Sequence, residues 1–469
     1  MRASDNGILL LHPKVEILER DGRVILLHTD TGHWVCVHKR AKPLLMHFMG
    51  GMTADSAIVR YQAQQQSEGI EPSDADACLA VIRESIDRGI LCETGDAVVS
   101  LEAPGSFPIN RKYSSCTWDV TSRCNLRCIH CHVAADNRQR SDELASAEYP
   151  NVVSQLVDVL QPKARISLSG GEPLLNRELT TLCRLLRDHD FEFSILTNGT
   201  LATRSLTVRL AAVHPSYVQV SFDGGTAQVH DRIRGRGSFE RARRGVLNLR
   251  DAGMPVVLSF TPMKLNFFDL DNFVVMAHEL GIRRVHFPHF TTKGRGRENA
   301  STLNLTDDER IFFYGRVRQL TNEGAIDVGF IEERLRHCAV PQLSHNRNCG
   351  LGYGIFLLAA NGDVYPCSAL TFPEMLLGNI RQQCLSEILA DHPLLRQFWT
   401  LRPKEQQEQC KRCVVRAFCA GGCLGRGYHV AQTLNGIDHY CPVFQTEYLE
   451  SLWQTAVNRG TSSARAMPE

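Results

Sequence analysis

Cys124, Cys128 and Cys131 stand at C-x3-C-x2-C spacing, just after the apolar run Cys116–Val120. Three thiolates can hold three irons of a [4Fe–4S] cube and leave the fourth iron open to another ligand. A cluster that only carries electrons usually takes four protein ligands, so three ligands point to chemistry at the metal. The competing reading is zinc, for which His130 or His132 would supply the fourth donor. A second array follows near the other end: Cys349-x12-Gly362-x4-Cys367, then Cys410-x2-Cys413-x5-Cys419-x3-Cys423, then Cys441. Zinc is again the simplest alternative for its C-x2-C core. Ala420, Gly421 and Gly422 are small enough to let backbone wrap closely around a bound group.

Composition narrows the class. A chain of 469 residues, 43% hydrophobic and 22% charged, has material for several globular domains and a large core. The net charge of +1 offers no general attraction for nucleic acid or anionic lipid, so neither is expected as a partner. Residues Met1–Asp5 lack the apolar core of a signal peptide, and no apolar run approaches membrane-spanning length. A cytoplasmic, reducing location is therefore expected, where clustered cysteines among the 17 read as metal ligands before disulfides. Cys36, Cys78, Cys92, Cys116, Cys183 and Cys384 each sit singly and read as small buried hydrophobes.

The elements that must position the cysteines follow from periodicity. Residues 1–95 read as a small winged-helix-like α+β domain. Strands fall at Val15–Glu19, Val24–Leu27 and His33–Val37, with helices at Ala41–Met49, Ala54–Gln65 and Ser73–Arg88. Residues 96–113 carry Pro104, Gly105 and Pro108 and read as a linker. Over 114–325, strands near Cys116–Val120, Ala164–Leu168, Phe191–Leu196, Tyr217–Phe222, Val256–Thr261 and Arg284–Pro288 alternate with helices. The helices fall at Pro150–Leu160, Arg177–His189, Ser205–Val213, Phe239–Ala252, Leu270–Leu280 and Thr306–Asn322. This alternation implies an α/β fold with a parallel sheet and outer helices, its reactive loops at the carboxyl ends of the strands. Residues 326–455 hold the second cysteine array, and 456–469 read as a tail, disordered from Thr461.

Several short runs fall at those strand ends. Ser169-Gly170-Gly171-Glu172-Pro173 joins two glycines, which allow close backbone approach, to an acidic acceptor; alone it is an ordinary strand-to-helix turn. Ser221-Phe222-Asp223-Gly224 ends the fourth strand, and His230-Asp231-Arg232-Ile233-Arg234 follows. Six arginines lie between Arg232 and Arg244; most read as a solvated face, with Arg234 the candidate anion partner. Gly294-Arg295-Gly296-Arg297 reads as a flexible loop with two candidate anion-binding side chains.

C-x3-C-x2-C followed by Gly170-Gly171-Glu172-Pro173 resembles the radical S-adenosylmethionine (SAM) superfamily. The resemblance implies a partial (βα)6 TIM-like barrel, with Cys124, Cys128 and Cys131 holding a [4Fe–4S] cluster. The open iron would chelate SAM, and an electron from the cluster would cleave it to methionine and a 5′-deoxyadenosyl radical. By the same resemblance Gly170, Gly171, Glu172 and Pro173 would serve the methionine amino group, Ser221 would approach SAM, and Arg234 is a further contact. The second array is similar to the seven-cysteine pattern of the SPASM domain, a cysteine-rich iron–sulfur domain. It implies two auxiliary [4Fe–4S] clusters, three in all. One would use Cys349, Cys367, Cys423 and Cys338; the other Cys410, Cys413, Cys419 and Cys441. Seven thiolates cannot complete two four-ligand clusters, so Cys338 is either the eighth ligand or a buried free thiol.

Strands followed by three helices in residues 1–95 resemble the RiPP recognition element, which binds a leader peptide as an added strand. Together these likenesses imply a peptide maturase with SAM as cofactor. Its partners would be a precursor peptide carrying a leader and an electron donor such as flavodoxin or ferredoxin. The expected reaction is hydrogen-atom abstraction leading to a two-electron oxidative cross-link, thioether or carbon–carbon. Alternatives are a sulfatase-type formylglycine maturase of a folded enzyme, a peptide epimerase, and a non-catalytic iron–sulfur sensor. No catalytic acid or base stands out in the sequence.

Overall fold

The computed structural model describes residues 7–93, 111–138, 140–328, 350–401, 403–419 and 421–459. Cys338, Cys349, Ala420 and nearly all of the 96–113 linker lie outside these residues. A sheet of nine strands runs through the chain, ordered β11-β10-β9-β8-β7-β6-β12-β13-β14. Its first six strands are β6 (Tyr113–Asp119), β7 (Leu160–Ser169), β8 (Glu192–Thr197), β9 (Tyr217–Ser221), β10 (Val256–Ser259) and β11 (Val285–His286). All are parallel. The expected strands are present, with ends shifted by up to four residues. The strands are apolar because both faces are covered: Ile166, Leu168, Val218, Val220 and Leu258 are fully buried.

The outer helices carry one apolar stripe each. Leu179–Asp188 buries Leu179, Leu182, Cys183 and Leu186, the spacing of one helical face. Asp307–Asn322 opens on a capping box in which Thr306 and Glu309 satisfy each other's backbone amides. Among the elements that the sequence reading did not place, a helix and a strand bear on the site. A helix, Ala227–Arg234, occupies the His-Asp-x-x-Arg run. Strand β12 (Ile355–Leu358) pairs in parallel with β6, then turns back through β13 (Asp363–Tyr365) to β14 (Gly378–Asn379). The second cysteine array therefore hangs from the barrel's own sheet.

The N-terminal unit is a three-stranded antiparallel sheet of β2 (Val15–Arg20), β3 (Arg23–His28) and β4 (Trp34–His38). Helices Ala54–Ser67 and Ala75–Asp87 follow, and β1 (Leu9–Leu11) pairs with β5 (Leu91–Glu93). The single helix expected over Ala41–Met49 is three short pieces, with Pro43 at the start of the middle one. One sheet face buries Val24, Leu26, Val35 and Val37 against these helices. The opposite face packs Ile25, Leu27 and Trp34 on Val415, Phe418, Leu452 and Trp453. That contact extends the last helix to Arg459 with Ala456 buried, so 456–459 is ordered helix rather than tail. Cys384 is also corrected: it caps the helix Leu385–Ala390 and is exposed.

Candidate active site

The barrel strands end around a cavity of about 430 Å³ whose wall includes Cys124, Cys128, Cys131, Gly170, Gly171, Ser221 and Arg234. The loop carrying the three cysteines is held from two sides. On one side Ile129 N donates to Ile233 O at 3.1 Å and Asn198 Nδ2 lies 3.9 Å from Cys124 Sγ. On the other, Arg295 Nε donates to Cys128 O at 2.8 Å, Arg295 Nη2 to Ala135 O at 2.9 Å, and Arg295 N to Cys131 O at 3.0 Å. Arg295 is buried. It is a clamp on the cysteine loop, not the mobile anion-binding side chain expected of a glycine-rich loop.

Gly170 and Gly171 have a steric reason to be glycine. At φ +117° the Gly170 backbone passes so near the cysteine loop that a Cβ would lie 2.2 Å from Thr121 O; at Gly171 it would lie 2.0 Å from Arg123 O. Their close approach is fixed by Gly171 N donating to Thr121 O and Glu172 N to Arg123 O. Glu172 and Pro173 lie behind this wall. The Glu172 carboxylate accepts from Thr197 Oγ1 at 2.5 Å, Leu174 N at 3.0 Å and Asn198 N at 2.7 Å. It ties the end of β7 to the end of β8.

Asp223, Arg234 and the histidines form a second buried assembly. Arg234 Nε donates to Asp223 Oδ2 at 2.6 Å, His130 Nε2 lies 3.3 Å from the same oxygen, and Asp223 N donates to His230 Nδ1. Burial works against the Asp223 charge, but Arg234 and His130 hold its carboxyl below the usual range. Arg234 is therefore anchored on one side by Asp223, while its side chain still lines the cavity. Asp231 faces away and accepts from Gly237 N and Phe239 N, capping the helix Ser238–Asp251. The sequence reading quoted Asp223 and His230 without a role; only the fold brings them onto Arg234.

A side chamber of about 360 Å³ shares His132, Gly170 and Gly171 with the main cavity and is walled by Asp119, Lys293 and Tyr365. Burial pushes the Asp119 carboxyl up to about 7, with Lys293 opposing the shift. Burial likewise lowers the Lys293 ammonium, against Asp119. Asp119 is a carboxyl in the chamber wall to which the sequence reading gave no role.

In the second array, Cys410, Cys413, Cys419 and Cys441 line one pocket. Gln409 Nε2 donates to Cys441 Sγ at 3.3 Å and Gln445 Nε2 to Cys413 Sγ at 3.4 Å, as donors toward cluster-bound sulfur would. Asp438 lines the pocket and is buried; it pairs with Arg426, and Cys423 N also donates to it. Cys423 and Cys367 are not among the pocket's lining residues; Cys367 precedes the turn Ser368–Leu370. Burial pushes the thiols of Cys128 and Cys419 up to about 12, so a thiolate in either place needs a metal to displace its proton. The donor sets fit: three thiols share one cavity and four share another. Cys124, Cys128 and Cys131 would hold the SAM-binding cluster, and Cys410, Cys413, Cys419 and Cys441 an auxiliary one.

Residues 118–280 match the model of the radical SAM superfamily, and 349–414 match that of the SPASM iron–sulfur cluster-binding domain. Fe-coproporphyrin III synthase of Methanosarcina barkeri is 30% identical over 334 residues, 65% of this chain and 81% of that protein. Mycofactocin maturase MftC of Mycobacterium tuberculosis is 28% identical over 332 residues, 69% of this chain and 82% of that protein. Streptococcus suis SuiB, in its crystal structure with precursor peptide SuiA, has a similar fold. The TM-score is 0.55 at 14% identity, covering 92% of this chain and 98% of that one. Among the described residues no helix is long and apolar enough to cross a membrane. The cysteine sets, the sheet and these relatives lead to one assignment: the chain belongs to the radical SAM superfamily, as a SPASM-containing enzyme that uses SAM and [4Fe–4S] clusters.

Proposed function

We propose that the chain matures a ribosomally made peptide. The N-terminal unit takes the leader as an added strand along the edge of β4, beside helix Ala75–Asp87, and the core segment enters the cavity above Cys124, Cys128 and Cys131. The observation that carries this reading is the N-terminal unit itself: a small sheet with β4 at its edge, docked firmly on the rest of the molecule. A fold match covering 92% of the chain must include part of that unit, and the matching protein is one crystallised with a precursor peptide. Bound SAM and its cluster supply a 5′-deoxyadenosyl radical for hydrogen-atom abstraction. The chain's own residues place the substrate: Gly170 and Gly171 thin the wall, Arg234 and Asp223 fix charge beside it, and Asp119 offers a proton acceptor in the adjoining chamber. The product is a two-electron oxidative cross-link, thioether or carbon–carbon.

The test is anaerobic incubation of cluster-reconstituted protein with SAM, a reductant and peptides encoded beside its gene. The expected product lacks two hydrogens, forms with 5′-deoxyadenosine, and is absent with Cys124→Ala/Cys128→Ala/Cys131→Ala. A second reading, action on a porphyrin side chain, is favoured by the 30% identity to Fe-coproporphyrin III synthase. That similarity spans only 65% of the chain. Porphyrin turnover with no peptide product would select it.

A further inference from the structure

The cysteine loop reaches the surface inside a field of unneutralised arginines. Arg127 lies between Cys124 and Cys128 and is exposed; its Cα is one peptide unit, about 3.8 Å, from that of Cys128. The loop touches helix Ala227–Arg234 through the Ile129–Ile233 hydrogen bond, which sets Arg232 beside it. It touches the turn after β8 through Asn125 Nδ2, which donates to Thr200 Oγ1 at 2.8 Å. Gly199, next to Thr200, packs directly on helix Ser238–Asp251, where a Cβ on Gly245 would lie 2.1 Å from Gly199 O. Arg232, Arg236 and Arg244, on these two helices and the turn between them, are exposed, and among the described residues none of them, nor Arg127, has an ion-pair partner within 4 Å.

The acids nearby are already engaged. Asp231 accepts from backbone amides, Asp223 holds Arg234, and Glu240 lies 3.6 Å from Arg243. The whole chain carries a net charge of only +1, so this concentration of positive charge is local. A patch of one sign beside a buried redox loop steers a partner of opposite charge and gives it a fixed orientation.

We infer that Arg127, Arg232, Arg236 and Arg244 form the docking surface for an acidic, low-potential one-electron carrier protein that reduces the cluster of the cysteine loop. One electron leaves the carrier's flavin or iron–sulfur centre, which is oxidised by one, and the loop's cluster is reduced by one; no atom is transferred. This holds whether the substrate is a peptide or a porphyrin.

The experiment follows bleaching of the reconstituted holoenzyme's cluster absorbance by stopped flow with three reductants. These are flavodoxin hydroquinone, reduced ferredoxin, and photoreduced 5-deazariboflavin, which is small and uncharged. For R232E/R236E/R244E, reduction by at least one protein carrier slows roughly tenfold or more at low salt, while the deazariboflavin rate stays unchanged. R232Q/R236Q/R244Q gives a smaller loss of the same kind, and added salt slows the wild-type carrier reaction. Slowing with one carrier alone identifies flavin or iron–sulfur as the source. Unchanged rates with both carriers overturn the proposal, including the case in which the variants instead lose affinity for an anionic peptide. Equal slowing with all three reductants also overturns it, because the arginines then act through the fold.

Discussion

Glu172 is fully buried, and its two oxygens already receive a hydroxyl and two backbone amides. Burial raises its carboxyl, against the hydrogen bonds from Thr197 and Asn198. A Glu172→Gln side chain would turn an N–H toward one of those donors. We expect a cost of about 1–3 kcal/mol, seen as a lower melting temperature, with loss of SAM cleavage although the residue does not line the cavity. Asp119 illustrates the opposite problem of legibility. In Trp118-Asp119-Val120 it reads as one polar residue at a strand end, and nothing local announces that Lys293, far along the chain, will face the same chamber. Its folded pKa of about 7 lies above the ordinary value of 3.8. The folded state therefore keeps a proton that the unfolded state has lost, and the stability this gives disappears as pH rises from about 4 through 7. Asp119→Asn should leave the melting temperature nearly unchanged at pH 4 and raise it by a few degrees at pH 8. A melting temperature lowered equally at both would show that Asp119 is an ordinary ionised carboxylate.

At the scale of elements, periodicity revealed what repeats and missed what pairs over distance. The six strands and six helices of the barrel announce themselves as apolar runs and stripes, and Thr306 with Glu309 marks a helix start in plain residues. Strand β12 is only four residues long, and its partner β6 lies far back in the chain, so no local pattern joins them. Helix Ala227–Arg234 was hidden because its sequence reads as a motif: His230 accepts from Asp223 N, Asp231 caps the next helix and Arg234 pairs with Asp223. The run is a joint: His230 and Arg234 fasten it to Asp223 after β9, and Asp231 fastens it to the next helix. Asp231→Ala removes the acceptor for Gly237 N, Phe239 N and Ser238 Oγ. The expected cost is about 1–2 kcal/mol, with faster amide exchange confined to the first turn of Ser238–Asp251. Exchange that quickens along the whole barrel would mean that the joint, not the cap, had failed.

Across the whole molecule, the N-terminal unit and the last helix form one hydrophobic cluster. Ile25, Leu27 and Trp34 meet Phe418, Tyr448, Leu452 and Trp453, with Cys413 and Cys419 packed at its margin. Arg20 pairs with Glu450 and sits 5.2 Å above the Trp453 ring, and Arg416 bonds Asp30 from the other side. The loop that carries Cys413 and Cys419 is thus the floor on which the sheet rests. The strand and turn residues of 15–37 were legible, but which sheet face meets the unit's own helices and which meets the C-terminal segment was not, because both faces alternate apolar residues. Trp34→Ala should cost about 3 kcal/mol at this contact and leave the barrel untouched, since the described residues of that cluster come from the N-terminal unit and the C-terminal segment. Limited proteolysis should then cut between the N-terminal unit and the barrel several-fold faster, while the melting of the residue 113–328 region is unchanged. If the peptide reading holds, the same variant still makes 5′-deoxyadenosine with SAM and reductant but loses peptide modification, because the leader is no longer held at a fixed distance from the cavity. Unaltered proteolysis together with unaltered peptide modification would show that the unit's position does not depend on Trp34.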